Sequence, residues 1–236
     1  MAAVRAAAAD GELSGAAALA VPTDAGLRWA AGSFVTALPL RLAARSGRSP
    51  LEVAEVIARR VGGAVIGPGF LRIEMPELGA LARCIVEAGD YGAGACVDGP
   101  TWPDGPRTFG NPGFRVRFAY ARAAALQRQA SELGVAPGAP EGLLGEAEER
   151  RLLGLMAELP GRAARTVRAR DTAGFRRHLV RVADAYHDVY ERCPALPKGD
   201  EPPTPRHGAR LTLAEAARVA LNNGLRTLGE IPEERL

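Results

Sequence analysis

The stretch NPGFRVRFAYARAAALQRQ, from Asn111 to Gln129, limits the possible fold more than any other part of this chain. Asn111 suits a helix cap and Pro112 the first turn, where a missing N–H costs nothing. At helical spacing Phe114, Phe118, Ala121 and Ala125 form one apolar stripe. Val116, Ala119, Ala123, Leu126 and Ala130 form a second stripe on the far side. Arg115, Arg122 and Gln129 run down one seam between the stripes, and Arg117, Tyr120 and Arg128 down the other. A helix that is apolar on two sides needs partners on two sides, which a helical bundle supplies.

Residues 111–236 read as helical throughout. After the opening helix come PEGLLGEAEERRLLGLMAELPGRAARTVRARD and TAGFRRHLVRVADAYHDVYERC, then a Pro-rich loop, PALPKGDEPPTPRHG. A last helix is expected to start at a capping box of Thr212 with Glu215, with Leu213, Ala217, Leu221 and Leu225 in its core stripe. Residues 1–90 read as a small α+β domain. It opens with an alanine-rich helical stretch and an apolar run near Ala17–Val21. SFVTALPLRLAARSG is expected to be a helix with Pro39 as an early irregularity, and Ser49 with Glu52 caps a second helix that Gly62 stops. AVIGPGFLRIEM reads as two short strands around Gly67-Pro68-Gly69, and ELGALARCIVEAGDYG as a helix. Residues 91–110, dense in Gly and Pro, read as a linker or an ordered loop. The fold class is therefore mainly α: a small α+β domain, then an antiparallel helical bundle.

Composition narrows the chemistry. At 236 residues the chain can bury about 70% of its unfolded surface without staples. Lys198 is the only lysine among 30 basic residues, and the net charge is +3, mildly basic and compatible with a polyanionic partner. Cys84, Cys96 and Cys193 are odd in number and none are spaced as CxxC, which fits free thiols in a reducing cytoplasm. No signal peptide and no apolar run long enough to cross a membrane are expected. His178 and His187 are nine apart, which is not zinc-pair spacing, and neither a GxSxG elbow nor a GxxxxGK[ST] phosphate loop occurs. No metal and no cofactor are expected. Asp184 and Asp188 lie one helical turn apart and are read as a solvated face rather than an acid–base pair.

Features that suit nucleic acid are better represented. Arg162, Arg165 and Arg168 recur every third residue, with Arg176, Arg177 and Arg181 beyond them. This stripe is either a set of phosphate contacts or a solvated helix face. Tyr120, Tyr186 and Tyr190 either stack on unpaired bases or fill the core.

The order of residues is more specific than any of these. NPGFRVRFAYAR resembles the NPxFxVQYAxAR opening of the anticodon-binding domain of arginyl-tRNA synthetases, a DALR-type helical bundle. Phe118 stands where that family has tyrosine, and Tyr120 where it has histidine. HLVRVADAYHDVYERC resembles YLxxLAxxFxxFYxxC. The chain's last stretch, from Ala209, resembles RLxLxxAxxxVLxxGLxLLGIxxPERM, with Leu236 in place of methionine. RLAARSGRSPLEVAEVIARR and IGPGFLRI resemble the family's N-terminal additional domain, with Phe70 at the aromatic position and Arg72 at the amide position. Between the two regions the family carries a large class I catalytic domain with His-x-Gly-His and KMSKS signatures. Here there is only the short stretch 91–110 and neither signature.

The resemblance implies a non-catalytic tRNA-binding protein. Arg115, Phe118, Tyr120, Arg122, Arg162, Arg165, Arg168, Arg177, Tyr186, Tyr190 and Leu236 would lie on the anticodon side, and Phe70 and Arg72 on the side of the tRNA elbow. The alternative is a regulatory pseudo-synthetase with a protein partner. Arginine–tRNA ligase activity, the label the resemblance alone would attach, lacks its ATP motifs.

Overall fold

The structure, a computed structural model, describes residues 2–13, 25–30 and 32–236. It divides into two compact units, Met1–Pro76 and Glu77–Leu236. The apolar run near Ala17–Val21 lies outside the described residues.

The first unit carries helices α1 (Ala2–Ala9), α2 (Leu38–Ser46) and α3 (Pro50–Val61) with strands β1 (Arg28–Ala30), β2 (Ser33–Thr36), β3 (Ala64–Ile66) and β4 (Phe70–Ile73). The strands form one antiparallel sheet in the order β1-β2-β4-β3. Leu38, Leu42, Val53, Ala54, Ile57 and Leu71 are buried together with Val4, Ala7 and Leu13. The expected Ser49–Glu52 capping box is present, with Pro50 in the first turn and Gly62 left-handed at the end of α3. The strands around Gly67-Pro68-Gly69 form as expected, whereas SFVT is a strand and not the start of a helix. Val35 and Thr36 are β-branched and suit a pleated surface. The Thr36 hydroxyl donates to the Ala25 carbonyl and accepts the Leu38 amide at 3.0 Å, so the strand ends where α2 begins. That leaves Pro39 in the first helical turn, where proline is tolerated.

The second unit is helical: α4 (Ala80–Ala88), α5 (Pro112–Glu132), α6 (Ala147–Ala157), α7 (Leu159–Ala169), α8 (Ala173–Arg192) and α9 (Pro205–Thr227). The α5 helix packs against both α8 and α9. Val116, Ala119, Ala123, Leu126 and Ala130 are all buried, while Phe114 and Phe118 are half-buried. The α4 helix, grouped above with residues 1–90, belongs to this unit: Ala82 and Ile85 are buried and α4 packs on α9. Asn223 of α9 donates to the Gly89 and Tyr91 carbonyls at 2.9 and 3.1 Å, closing the end of α4.

Two helical expectations shift. The stretch from Pro140 makes two helices rather than one, because the chain turns at Glu158 and Pro160 has no N–H to continue α6. The last helix starts at Pro205, inside the expected loop. Thr204 is its cap, and His207 Nδ1 accepts the Thr204 amide at 3.1 Å, a role glutamate usually fills. Thr212 sits within the helix and donates to the Gly138 carbonyl at 2.7 Å. Gly208 allows this crossing, since a Cβ there would lie 3.0 Å from the Ala136 carbonyl oxygen.

One buried ion pair ties three elements together. Glu149 of α6 is fully buried and accepts Arg210 Nε of α9 at 2.7 Å, while Arg210 Nη1 donates to the Pro194 carbonyl at 3.1 Å. Arg210→Met leaves the buried Glu149 carboxylate with no cation and only the Glu146 amide as a donor, and is expected to cost about 3–5 kcal/mol in urea unfolding. Glu149→Leu combined with Arg210→Met is expected to recover part of that loss, less about 1 kcal/mol for the α6 cap that Glu149 also makes.

Candidate nucleic-acid interface

The seams of α5 hold the geometry that bears on function. Arg115 Nη1 donates to both carboxylate oxygens of Asp184 on α8, at 2.9 and 3.1 Å. Two turns on, the Arg122 guanidinium lies 4.7 Å from the Phe118 ring centroid and 4.4 Å from that of Tyr190. Phe118 in turn stacks on Phe114, centroids 5.4 Å apart and 9° from parallel. Tyrosine, guanidinium and two phenylalanines thus form a ladder across α5 and α8.

His187 fixes the ladder from beneath. Arg122 Nη1 lies 3.1 Å from His187 Nδ1, and His187 Nε2 lies 3.2 Å from the Arg115 carbonyl oxygen. A guanidinium only donates and a carbonyl only accepts, so the hydrogen-bond network assigns the proton to Nε2 and the lone pair to Nδ1. Burial holds the His187 pKa below its ordinary value, against the hydrogen bond to the Arg115 carbonyl, which raises it. Arg122 is therefore hydrogen-bonded to a neutral ring, and Glu191, the acid that pairs with it, stands 3.9 Å away and mostly exposed. Its charge is weakly compensated among aromatic rings, and its side chain is 19% exposed.

The other seam reaches the C-terminal tail. Arg117 Nη2 donates to Glu230 at 2.6 Å, and Arg128 pairs with Glu234 at 3.3 Å. The segment before α5 is anchored by the same residues. Gly94 and Val97 amides donate to Thr227, the Trp102 amide donates to Glu230 at 3.1 Å, and Arg117 Nη2 donates to the Trp102 carbonyl at 3.3 Å. Trp102 is buried over Gly113, where any Cβ would overlap its side chain. Residues 94–111 are thus an ordered wall of the bundle, one of the two options left open by their composition. Beside Phe114 they enclose a hollow of about 620 Å³ with Arg107, Arg117 and Leu236 in its lining.

The expected site residues separate by their surroundings. Phe118, Arg122 and Tyr190 come together, and Leu236, which is 42% exposed, lines the hollow beside Phe114. Tyr120 and Tyr186 are buried and so fill the core instead of offering faces to bases; burial also pushes the Tyr186 pKa up. Arg165, Arg168 and Arg177 are exposed, but Arg162 is drawn onto the buried Glu158 carboxylate at 2.6 Å, which takes it out of the stripe. Arg115 is likewise paired with Asp184. Asp188 pairs with Arg151 at 2.6 Å, so the two aspartates serve separate ion pairs. In the first unit, the register aligns Arg28, Val35, Arg72 and Ala64 in one row on one sheet face, and Phe70 lies beside it, opposite Ile66.

Two members of the ladder's surroundings escaped the sequence reading. Phe109 makes edge contacts with Phe114, Phe118 and His187; an aromatic two residues before a helix cap was the available signal. In the sequence, His187 stands out only through its spacing from His178. Among the described residues no cluster of three or more His, Cys, Asp or Glu is arranged to hold a metal, and no helix is long and apolar enough to cross a membrane. The three cysteines are free, and burial pushes the Cys193 thiol up to about 11.

Residues 116–236 match the family described as the DALR anticodon binding domain. Over 134 residues, 56% of the chain, the sequence is 39% identical to an arginine–tRNA ligase of Clavibacter sepedonicus, of which it covers 24%. A solved arginyl-tRNA synthetase of Thermus thermophilus is 23% identical over 55% of this chain and 22% of that one, with a TM-score of 0.43. The chain therefore spans about a quarter of the length of the curated relative it matches.

The His187 geometry sets a pH dependence. The unfolded imidazole takes up its proton near its ordinary value of about 6.5, the folded one only at lower pH. The unfolded state binds more protons in that window, so the stability tied to neutral His187 is present above about pH 6.5 and is lost as pH falls through the folded value. Urea unfolding between pH 7.5 and 5 is expected to show this decline, and His187→Gln to flatten it.

Proposed function

The chain belongs to the DALR anticodon binding domain family, and from that premise we propose that its second unit holds the anticodon loop of a tRNA without performing chemistry on it. The observation that carries this reading is the Arg122 guanidinium between Phe118 and Tyr190, hydrogen-bonded to a neutral histidine. Ring faces accept any base, and a weakly compensated cation among them attracts a phosphate backbone. Arg165, Arg168 and Arg177 extend the positive surface, and Leu236 supplies an apolar edge beside the ladder. On the first unit, Phe70 and Arg72 on the open sheet row are proposed contacts for the tRNA elbow. Both class I signatures, which bind and clamp ATP, are missing from these 236 residues, so we infer that the chain forms no aminoacyl adenylate.

The experiment is a salt series of binding to an arginine-accepting tRNA. Affinity is expected to fall with a log–log slope of about −0.7 for each single-strand phosphate neutralised. Arg122→Ala is expected to weaken binding by roughly 5- to 100-fold, as loss of a stacking rung does, and to reduce the slope by about one contact. Salt-insensitive binding, or a nuclease-resistant protein partner in place of RNA, would favour a regulatory role instead. Arginine-dependent ATP–pyrophosphate exchange is expected to be absent.

A further inference from the structure

We propose that Phe109 is a stacking platform for one unpaired nucleobase, supplied by the segment that precedes the bundle rather than by the bundle itself. The inference rests on the single-stranded RNA reading above. Phe109 is 51% exposed, although its ring touches three others. Its contacts with Phe114 (6.2 Å), Phe118 (5.8 Å) and His187 (5.2 Å) are all T-shaped or edge contacts, with interplanar angles of 88°, 87° and 70°. None of them is a face-to-face stack, so the cluster locates the ring and still leaves half its surface to water.

The backbone that presents the ring is fixed as well. The Thr108 amide donates to the Pro106 carbonyl and the Asn111 amide to the Thr108 carbonyl, both at 2.9 Å. Asn111 Nδ2 donates to the Pro103 and Pro106 carbonyls at 3.0 and 3.2 Å, while its Oδ1 caps α5. One side chain thus sets both the helix start and the loop that carries Phe109. A large aromatic that is exposed yet held in one position forgoes burial energy and retains a preorganised face.

Charge selects among possible occupants. Phe109 adjoins Phe118 and His187, which are the groups that flank and hydrogen-bond Arg122. A base stacked on Phe109 therefore keeps its phosphate near a guanidinium whose hydrogen-bond partner is neutral. An apolar protein side chain gains nothing from that cation, which makes the nucleobase the better match.

The test uses the full chain and an anticodon stem-loop hairpin carrying 2-aminopurine at successive loop positions. One labelled position is expected to be quenched by wild type and by Phe109→Trp. Phe109→Ala and Phe109→Leu are expected to lose that quenching and to weaken binding roughly 5- to 100-fold with an unchanged salt slope. Circular dichroism melts of each variant report whether the fold is kept. Full affinity in Phe109→Ala, or in Phe109→Leu, which keeps bulk but no π-face, overturns the proposal. So does loss of a protein partner with RNA affinity intact. If wild type binds no RNA, both the functional reading and this inference fall. If Arg122→Ala loses binding and Phe109→Ala does not, this inference alone falls.

Discussion

A helix packed on two sides leaves its charged residues only two narrow seams, and that constraint organises the second unit. Along α5 each seam arginine must meet an acceptor or a ring. Arg115 finds Asp184, Arg117 finds Glu230, and Arg128 finds Glu234. These pairs lock α8 and the C-terminal tail to the same helix. Through Glu230 they also fix the segment before the bundle, because one carboxylate serves both Arg117 and the Trp102 amide. Arg122 differs from its neighbours. Its hydrogen-bond partner is an imidazole and its flat faces lie against rings, so this position of the seam is the one richest in aromatic surface.

Much of this was legible in the sequence, and the exceptions have physical causes. The two stripes of α5, the Ser49–Glu52 capping box and the strands around Gly67-Pro68-Gly69 are local patterns with local causes, and they form as read. Thr212 with Glu215 has the spacing of a cap but lies inside α9, because Thr204-Pro205 starts the helix earlier and Thr212 instead bonds the crossing loop at Gly138. The α4 helix is amphipathic in either unit, and only its packing on α9 decides the boundary. Tyr186 and Tyr190 are four apart on one helix, yet one is buried and the other lies over Arg122, a difference that depends on which neighbours α8 meets. Arg162 looks like its neighbours Arg165 and Arg168 until the buried Glu158 captures it.

The second unit gathers its aromatic and cationic side chains along α5 and α8. They present rings, guanidinium groups and a hollow lined by Leu236, and among them no group of three or more His, Cys, Asp or Glu is arranged to hold a metal. Such a surface can hold an unstacked loop. The segment at 94–111, fixed against the bundle through Trp102, contributes Arg107 and Phe109 to that surface.

Hydroxyl-radical footprinting of an arginine-accepting tRNA, saturated with the full chain, tests the central claim most directly. Protection of the anticodon loop, with the acceptor end left open to cleavage, is the predicted pattern. An anticodon loop cleaved as freely as in unbound tRNA, at protein concentrations that fully retain the RNA, would contradict it.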